Sequence, residues 1–329
     1  MALDLLKLEK QKISKDIKGK FMLFYGLPGI GKTSLASKFP KVLILGFEQG
    51  TNGIDDEYVV PCPKWSDFKA YVSQLVRKPE CKEKYQTIAI DTADSAWDQC
   101  ARVICDKEGI SDLDELEFGK GFAKAGKEFK ATLEELTFAG YTVIFISHAT
   151  EREIKNKETG EKYMYVQPAL ASRPYNVINK MVDLTGYIRE VETTEGSDRY
   201  IFFRGTKNFF AKSRFEYIVP HVKFSYDNIV NAILDAVQKA AEAKRGKGAD
   251  VSDAANPYTQ KSFDDLMSEA KEVWIKISDN GKVNEALKIL EDEFGKPTKF
   301  SEILPEQIEQ LKIVLAGVKE LVDDFSGEE

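Results

Sequence analysis

Residues 21–39 read FMLFYGLPGIGKTSLASKF, and this stretch decides the fold. Phe21 to Tyr25 form a run short and apolar enough for a strand buried on both faces. Directly after it, Gly26-Leu27-Pro28-Gly29-Ile30-Gly31-Lys32-Thr33 satisfies every fixed position of the GxxxxGK(S/T) pattern, and Ser34 opens a short helical stretch. Strand, glycine-rich turn and helix are the context this P-loop motif requires. Its glycines permit torsions that turn successive N–H groups inward, and the helix N-terminus adds a dipole that favours phosphate. Gly26 through Ser34 are therefore assigned to the phosphates of ATP. Lys32 should reach the β- and γ-phosphates, and the Thr33 hydroxyl should ligate Mg²⁺.

Working outward, three more short apolar runs end near polar residues able to do chemistry: VLILGF (42–47), TIAID (87–91) and TVIFIS (142–147). The segments between them are long enough for crossover helices, which predicts a mostly parallel, doubly wound α/β sheet. Such sheets bind ligands at the carboxyl ends of their strands. Asp91 closes the third run and is assigned, with Thr33, to hold Mg²⁺ and its water shell. Thr92 follows it and is neither Glu nor Asp, so a general base has to come from elsewhere. Glu48, just past the second run, lies at the same edge and can polarise an attacking water; the plain alternative is a solvated loop acid, with Asp94 and Asp56 as weaker substitutes. His148 follows the fourth run beside Ser147 and is aimed at the γ-phosphate region. There a histidine can donate a hydrogen bond without a permanent charge, although a purely structural histidine also fits that position.

Beyond the sheet, DLTGYIREVE (183–192) and DRYIFFRG (198–205), separated by TTEGS, predict a β-hairpin, with a third strand at NFFAKSRF. Residues 149–180 read as a long connection, a length usually reserved for functional or disordered loops. A helix is expected from about Tyr226 to Ala243. KRGKGADVSDAANPYTQ then has the composition of a linker. Residues 262–325 look wholly helical, with Leu266, Ala270, Val273, Trp274 and Ile277 as one stripe and Leu311, Val314, Leu315, Val318 and Leu321 as another. At the other end, Leu3, Leu6, Ile13 and Ile17 share a helical face, which serves either packing on the same domain or docking on a neighbouring subunit. The expected division is an N-terminal helix (1–20), an ATPase domain (21–243), a linker (244–261) and an acidic helical domain (262–329), in keeping with a chain of 329 residues.

Hydrophobic residues at 43% and charged residues at 31% describe an ordinary globular chain, and no run approaches the roughly 20 apolar residues of a membrane span. The leucines of the first 20 residues are interrupted by lysines, so no signal peptide is expected and the reading is cytoplasmic. The 4 cysteines are too widely spaced for a zinc site and read as free thiols. The net charge of −7 is uneven: residues 246–329 hold 10 lysines against 19 acidic residues, which leaves the rest of the chain slightly positive.

The strand-Glu48, Asp91-Thr92 and strand-Ser147-His148 arrangement resembles RecA-superfamily ATPases over residues 21 to about 240. It is most similar to phage-type RecA-like nucleotide-binding proteins, sometimes described as AAA-family ATPases. The resemblance implies a RecA-like P-loop NTPase core with a mostly parallel sheet and a C-terminal hairpin, followed here by a small all-helical domain. It makes Glu48 the general base and His148 the γ-phosphate sensor. Ala211-Lys212-Ser213-Arg214-Phe215 resembles the Lys-x-Arg motif that RadA- and DnaB-like members project into a neighbour's ATP site, with Arg214 as the finger and Lys212 its companion; an ordinary basic strand end is the alternative. A finger in trans implies a homo-oligomer, ring or filament.

In the resembled family a loop such as 149–180 contacts DNA. Lys155, Lys157, Lys162, Arg173 and Lys180 would meet the phosphates of single-stranded DNA, and Tyr163 and Tyr165 would stack on bases. Against that, residues 151–223 hold 13 basic and 10 acidic residues, a weak charge signal. The C-terminal helices fit either a protein-docking module or a solubilising tail. The implied activity is Mg²⁺-dependent ATP hydrolysis in recombination, annealing or replication, in a bacterial cytoplasm such as that of a phage-infected host. A P-loop kinase would show an arginine-rich lid, which is not evident; a nonenzymatic nucleotide-dependent switch is the other rival.

Overall fold

The computed structural model describes residues 17–50, 53–137, 139–155, 160–194, 196–249, 251 and 263–323. The expected N-terminal helix lies outside the described residues as far as Asp16, with Leu3, Leu6 and Ile13, as do Lys157 and most of the expected linker; residues 17–20 form a turn rather than helix, with Ile17 buried in the core. The chain divides into two compact units, whose described parts are residues 17–251 and 263–323.

The larger unit is built on β1 (Phe21–Gly26), α1 (Lys32–Ala36), β2 (Val42–Gly46), β3 (Tyr58–Pro61), α2 (Trp65–Arg77), α3 (Pro79–Lys84), β4 (Thr87–Asp91), α4 (Ala93–Glu108) and α5 (Lys120–Thr137). It continues through β5 (Thr142–Lys155), β6 (Lys162–Pro168), α6 (Ser172–Met181), β7 (Leu184–Thr193), β8 (Gly196–Phe202), β9 (Lys212–Ser213), β10 (His221–Lys223) and α7 (Tyr226–Arg245). The sheet runs β10-β8-β7-β1-β5-β4-β2-β3. From β7 to β3 every neighbouring pair is parallel, whereas β8 and β10 join antiparallel at one edge. β5 is thus interposed between the P-loop strand β1 and the Asp91 strand β4. That order, with the motif at the end of β1, makes this a RecA-like P-loop NTPase fold.

The strand residues alternate between two cores, as a period of two dictates. Phe21, Leu23, Leu43, Leu45, Ile88 and Ile90 face α2, α4, α5 and α6, where Trp65, Phe68, Trp97 and Phe129 complete the packing. Met22, Phe24, Val42, Ile44, Ala89 and Ile144 face α1 and α7, which supply Leu35, Ile229 and Ile233. Covered on both faces, these strands read as unbroken apolar runs.

The connection 149–180 is not a loop. β5 continues past Ser147 to Lys155, pairs antiparallel with β6, and α6 follows. Beyond His148 the strand leaves both cores, so its apolar signal ends while its backbone pairing continues. The expected third strand at NFFAKSRF is real but short: only Lys212 and Ser213 pair with β7.

The smaller unit consists of α8 (Phe263–Asp279), α9 (Val283–Phe294) and α10 (Ile308–Asp323). Leu266, Ala270, Val273 and Ile277 pack against Leu290, Leu311, Val314, Leu315 and Val318. Both sequence stripes therefore face one private core.

Candidate nucleotide site

The parallel register gathers the site. Gly26 at the end of β1 pairs with His148, Gly46 at the end of β2 pairs with Asp91, and Asp91 pairs with Ile146. P-loop, Glu48, Asp91 and His148 thus meet at one sheet edge, around a cavity of about 350 Å³ lined also by Gly29, Ser34, Gly50 and Thr92.

Within the P-loop, Gly29 and Gly31 hold φ of +77° and +99°, the left-handed region where a side chain is strained. At Gly31 an added Cβ would also fall 2.7 Å from Nη1 of Arg199. That guanidinium donates to the Ile30 carbonyl at 3.1 Å and stacks over Phe224, so β8 braces the back of the P-loop. Arg199 lies 169 residues along the chain from Ile30, in no motif, and no sequence signal marks it.

Lys32 is buried, and its Nζ donates to the carbonyls of Gly26 (3.0 Å) and Leu27 (2.9 Å). Burial lowers its pKa, opposed by the carboxylates of Asp91, Asp94 and Glu48. The Thr33 hydroxyl donates to Asp91 Oδ2 at 2.8 Å, so both residues assigned to Mg²⁺ touch. Burial pushes the Asp91 carboxyl above the usual carboxylate range, helped by Glu48 and opposed by Thr33 and Lys32. A buried acid with one hydroxyl donor, a second oxygen ligand in contact and glycines holding the phosphate turn make a hard-oxygen donor set that fits Mg²⁺ beside a triphosphate.

Glu48 is not a free loop acid. Its Oε1 accepts from the hydroxyls of Thr92 (2.7 Å) and Ser95 (2.6 Å), while Oε2 lies 3.9 Å from His148 Nε2. Burial would raise its pKa, but these two hydroxyls, with His148 and Lys32, outweigh it and hold the carboxyl below its ordinary value. Thr92 also caps α4, its Oγ1 accepting from the Ser95 N–H. The TADS stretch (92–95) is therefore a cap and a clamp on Glu48, a role hidden when Thr92 is read only as a missing acid.

Asp94 accepts a 2.8 Å hydrogen bond at His148 Nδ1, and its other oxygen is buried with no hydrogen-bond partner. Asp94 therefore orients His148 rather than replacing Glu48. Among the described residues, Glu48, Asp94 and His148 form a group whose atoms lie within 4.8 Å of one another, close enough to share a cation. Ser147 is buried and its hydroxyl turns to the His148 carbonyl. Asp56 is an exposed turn residue with φ +58°, outside the cavity lining.

Lys212 and Arg214 are not brought to this site. β9 pairs with the beginning of β7 (Leu184↔Ser213), at the opposite edge of the sheet from the P-loop. Lys212 Nζ donates to the Asn179 carbonyl, and Arg214 forms a 3.0 Å ion pair with Asp183. Of the residues expected to meet DNA, Lys162 is paired with Glu153 at 2.7 Å, Tyr163 and Tyr165 share one half-buried face of β6, and Arg173 and Lys180 stand on α6.

Three of the cysteines, Cys62, Cys100 and Cys105, are buried, Cys81 is half-buried, and all are free thiols. Among the described residues, no helix is long and apolar enough to cross a membrane.

Fold and site together define a P-loop NTPase. The AAA domain family profile matches residues 18–215, more than half of the chain, and the chain belongs to that family. It is 28% identical to the SPbeta prophage-derived uncharacterized protein YorG of Bacillus subtilis (strain 168) over 332 residues, 98% of this chain and 99% of that one. A KaiC-like protein, PH0186 from Pyrococcus horikoshii OT3, shares 13% identity across 60% of this chain and 89% of its own, with a TM-score of 0.34, too low to bear on fold or function.

Proposed function

We propose that this protein is a Mg²⁺-dependent ATPase with Glu48 as its general base, acting on single-stranded DNA in recombination, annealing or replication. The observation that carries the hydrolytic part is the state of Glu48. Two hydroxyls and His148 hold an ionised carboxylate at the sheet edge where Lys32, Thr33 and Asp91 converge. A base needs both that placement and a free lone pair, and Oε2 accepts no hydrogen bond from the clamp. Mg²⁺, held by Thr33 and Asp91, would supply charge neutralisation at the phosphates. Lys32 would exchange its two carbonyl acceptors for phosphate oxygens, and His148, oriented by Asp94, would donate to the γ-phosphate.

Lys212 and Arg214 stand at the far edge of the sheet from their own P-loop, so a finger role for them requires a neighbouring subunit. The ring or filament itself rests on the resemblance, in which such a finger is projected into a neighbour's ATP site. The DNA part rests on the resemblance to RecA-like proteins and on the prophage origin of the relative, which also favours a bacterial cytoplasm.

The test is steady-state ATP hydrolysis by the full chain with Mg²⁺, with and without single-stranded DNA, against Lys32→Ala. Glu48→Gln should lose about 100-fold or more in kcat while still binding nucleotide. Turnover unchanged in Glu48→Gln would remove the base assignment, and no Lys32-dependent turnover at all would leave a nucleotide-binding switch.

A further inference from the structure

We propose that the groove between α5 and α6 binds the phosphate backbone of single-stranded nucleic acid. The two helices are packed side by side, and between them lies a cavity of about 890 Å³. Lys127 and Lys130 line it from α5, Arg173 and Lys180 from α6, and Arg214 from just beyond β9. All five side chains are exposed, and Glu134 is the one acid on the wall. Glu134 is engaged by Lys130 at 3.2 Å, and Arg214 by Asp183. Lys127, Arg173 and Lys180 make no ion pair among the described residues, so three cations face an open groove without a counter-charge.

The spacing is that of a track rather than a point. Arg173 and Lys180 are seven residues apart on one helix, two turns and roughly 10 Å of rise. A single phosphate or a bound metabolite would call for convergent donors; here the cations are spread along the groove, as contact with a repeating anion requires. Val177 and Met181 give the floor an apolar surface on which sugars and bases can rest. Gly126 makes room for the guanidinium stem: a Cβ there would stand 3.4 Å from Arg173 Cδ. The weak charge balance of residues 151–223 underestimates this surface, because two of its lysines come from α5, outside that segment.

This assignment rests on the proposed action on single-stranded DNA and gives it a location distinct from the β5–β6 hairpin. The test is fluorescence anisotropy of a labelled oligo-dT with the full-length protein at several salt concentrations. It compares wild type with Lys127→Glu/Arg173→Glu, with the milder Lys180→Ala, and with the hairpin variant Tyr163→Ala/Tyr165→Ala. The charge reversal should weaken binding at least ten-fold and flatten the slope of log affinity against log salt by about 1.4, the value for two lost single-strand phosphate contacts. Lys180→Ala should weaken it several-fold, and nucleotide binding should be unchanged in both. Wild-type affinity in both groove variants, with binding lost in the hairpin variant, would overturn the groove while leaving DNA action intact. Absence of wild-type binding would sink both. Loss of binding that tracks loss of self-association, read by light scattering, would assign the groove to a subunit contact instead.

Discussion

Asp91 is 5% exposed, and the one hydrogen-bond partner of its carboxylate among the described residues is the Thr33 hydroxyl. Its pKa is raised by burial, so the folded chain without ligand binds this proton more tightly than the unfolded chain does. The contribution to stability is therefore fully present below the unfolded value and lost as pH rises through the folded one; at neutral pH the ionised carboxylate is a cost to the empty protein. Asp91→Asn keeps an acceptor for Thr33 and removes the charge. It should raise the melting temperature of the nucleotide-free protein at pH 7, and should abolish the further rise on adding Mg²⁺ and ATP. A lower melting temperature for the empty variant would show that Asp91 contributes to stability as well as to the site. This residue was legible in the sequence because it closes an apolar run; so were Glu48 and His148. The clamp of Thr92 and Ser95, the Asp94 buttress and the Arg199 brace were not, because each depends on which side chains the register sets side by side.

Among the elements, the strands buried on both faces announce themselves by composition alone, whereas β3 and β10, at the sheet edges, and the polar outer half of β5 do not. Helices are harder still to bound, and α5 shows why its start matters. Gly121 sits in its first turn against the backbone of a short 3₁₀ turn at Leu113–Glu115, where an added Cβ would lie 2.1 Å from the Leu113 carbonyl oxygen. Gly121→Ala therefore has to push α5 away from its seat. Two turns on, the helix carries Phe129, stacked on Trp65 at 5.6 Å and edge-on to Trp97 at 5.5 Å. The substitution should cost about 1–3 kcal/mol, as overpacking against a fixed wall usually does, and should lower the urea midpoint without changing the slope. An unchanged midpoint would mean that the 3₁₀ turn yields freely.

On the scale of the whole molecule, two units with separate cores predict two cooperative events. Calorimetry of the full chain should show two transitions. ATP with Mg²⁺ at about 100 times its dissociation constant should stabilise the P-loop unit by about 2.7 kcal/mol and leave the transition of the helical unit where it was. A single transition that moves as one would refute that separation. Within the P-loop unit, β5 has a mechanical meaning. TVIFISHATEREIK contains neither glycine nor proline, so the backbone has no built-in joint between the core and Lys155. His148 stands halfway along it, opposite the P-loop. From there to Lys155 the strand extends about 23 Å at its usual rise, which makes this outer half of β5 a lever arm with its fulcrum beside the P-loop. A twist too small to notice at His148 becomes a sweep at Lys155, so the outer strand is a pointer that carries a small change beside the P-loop out to the surface.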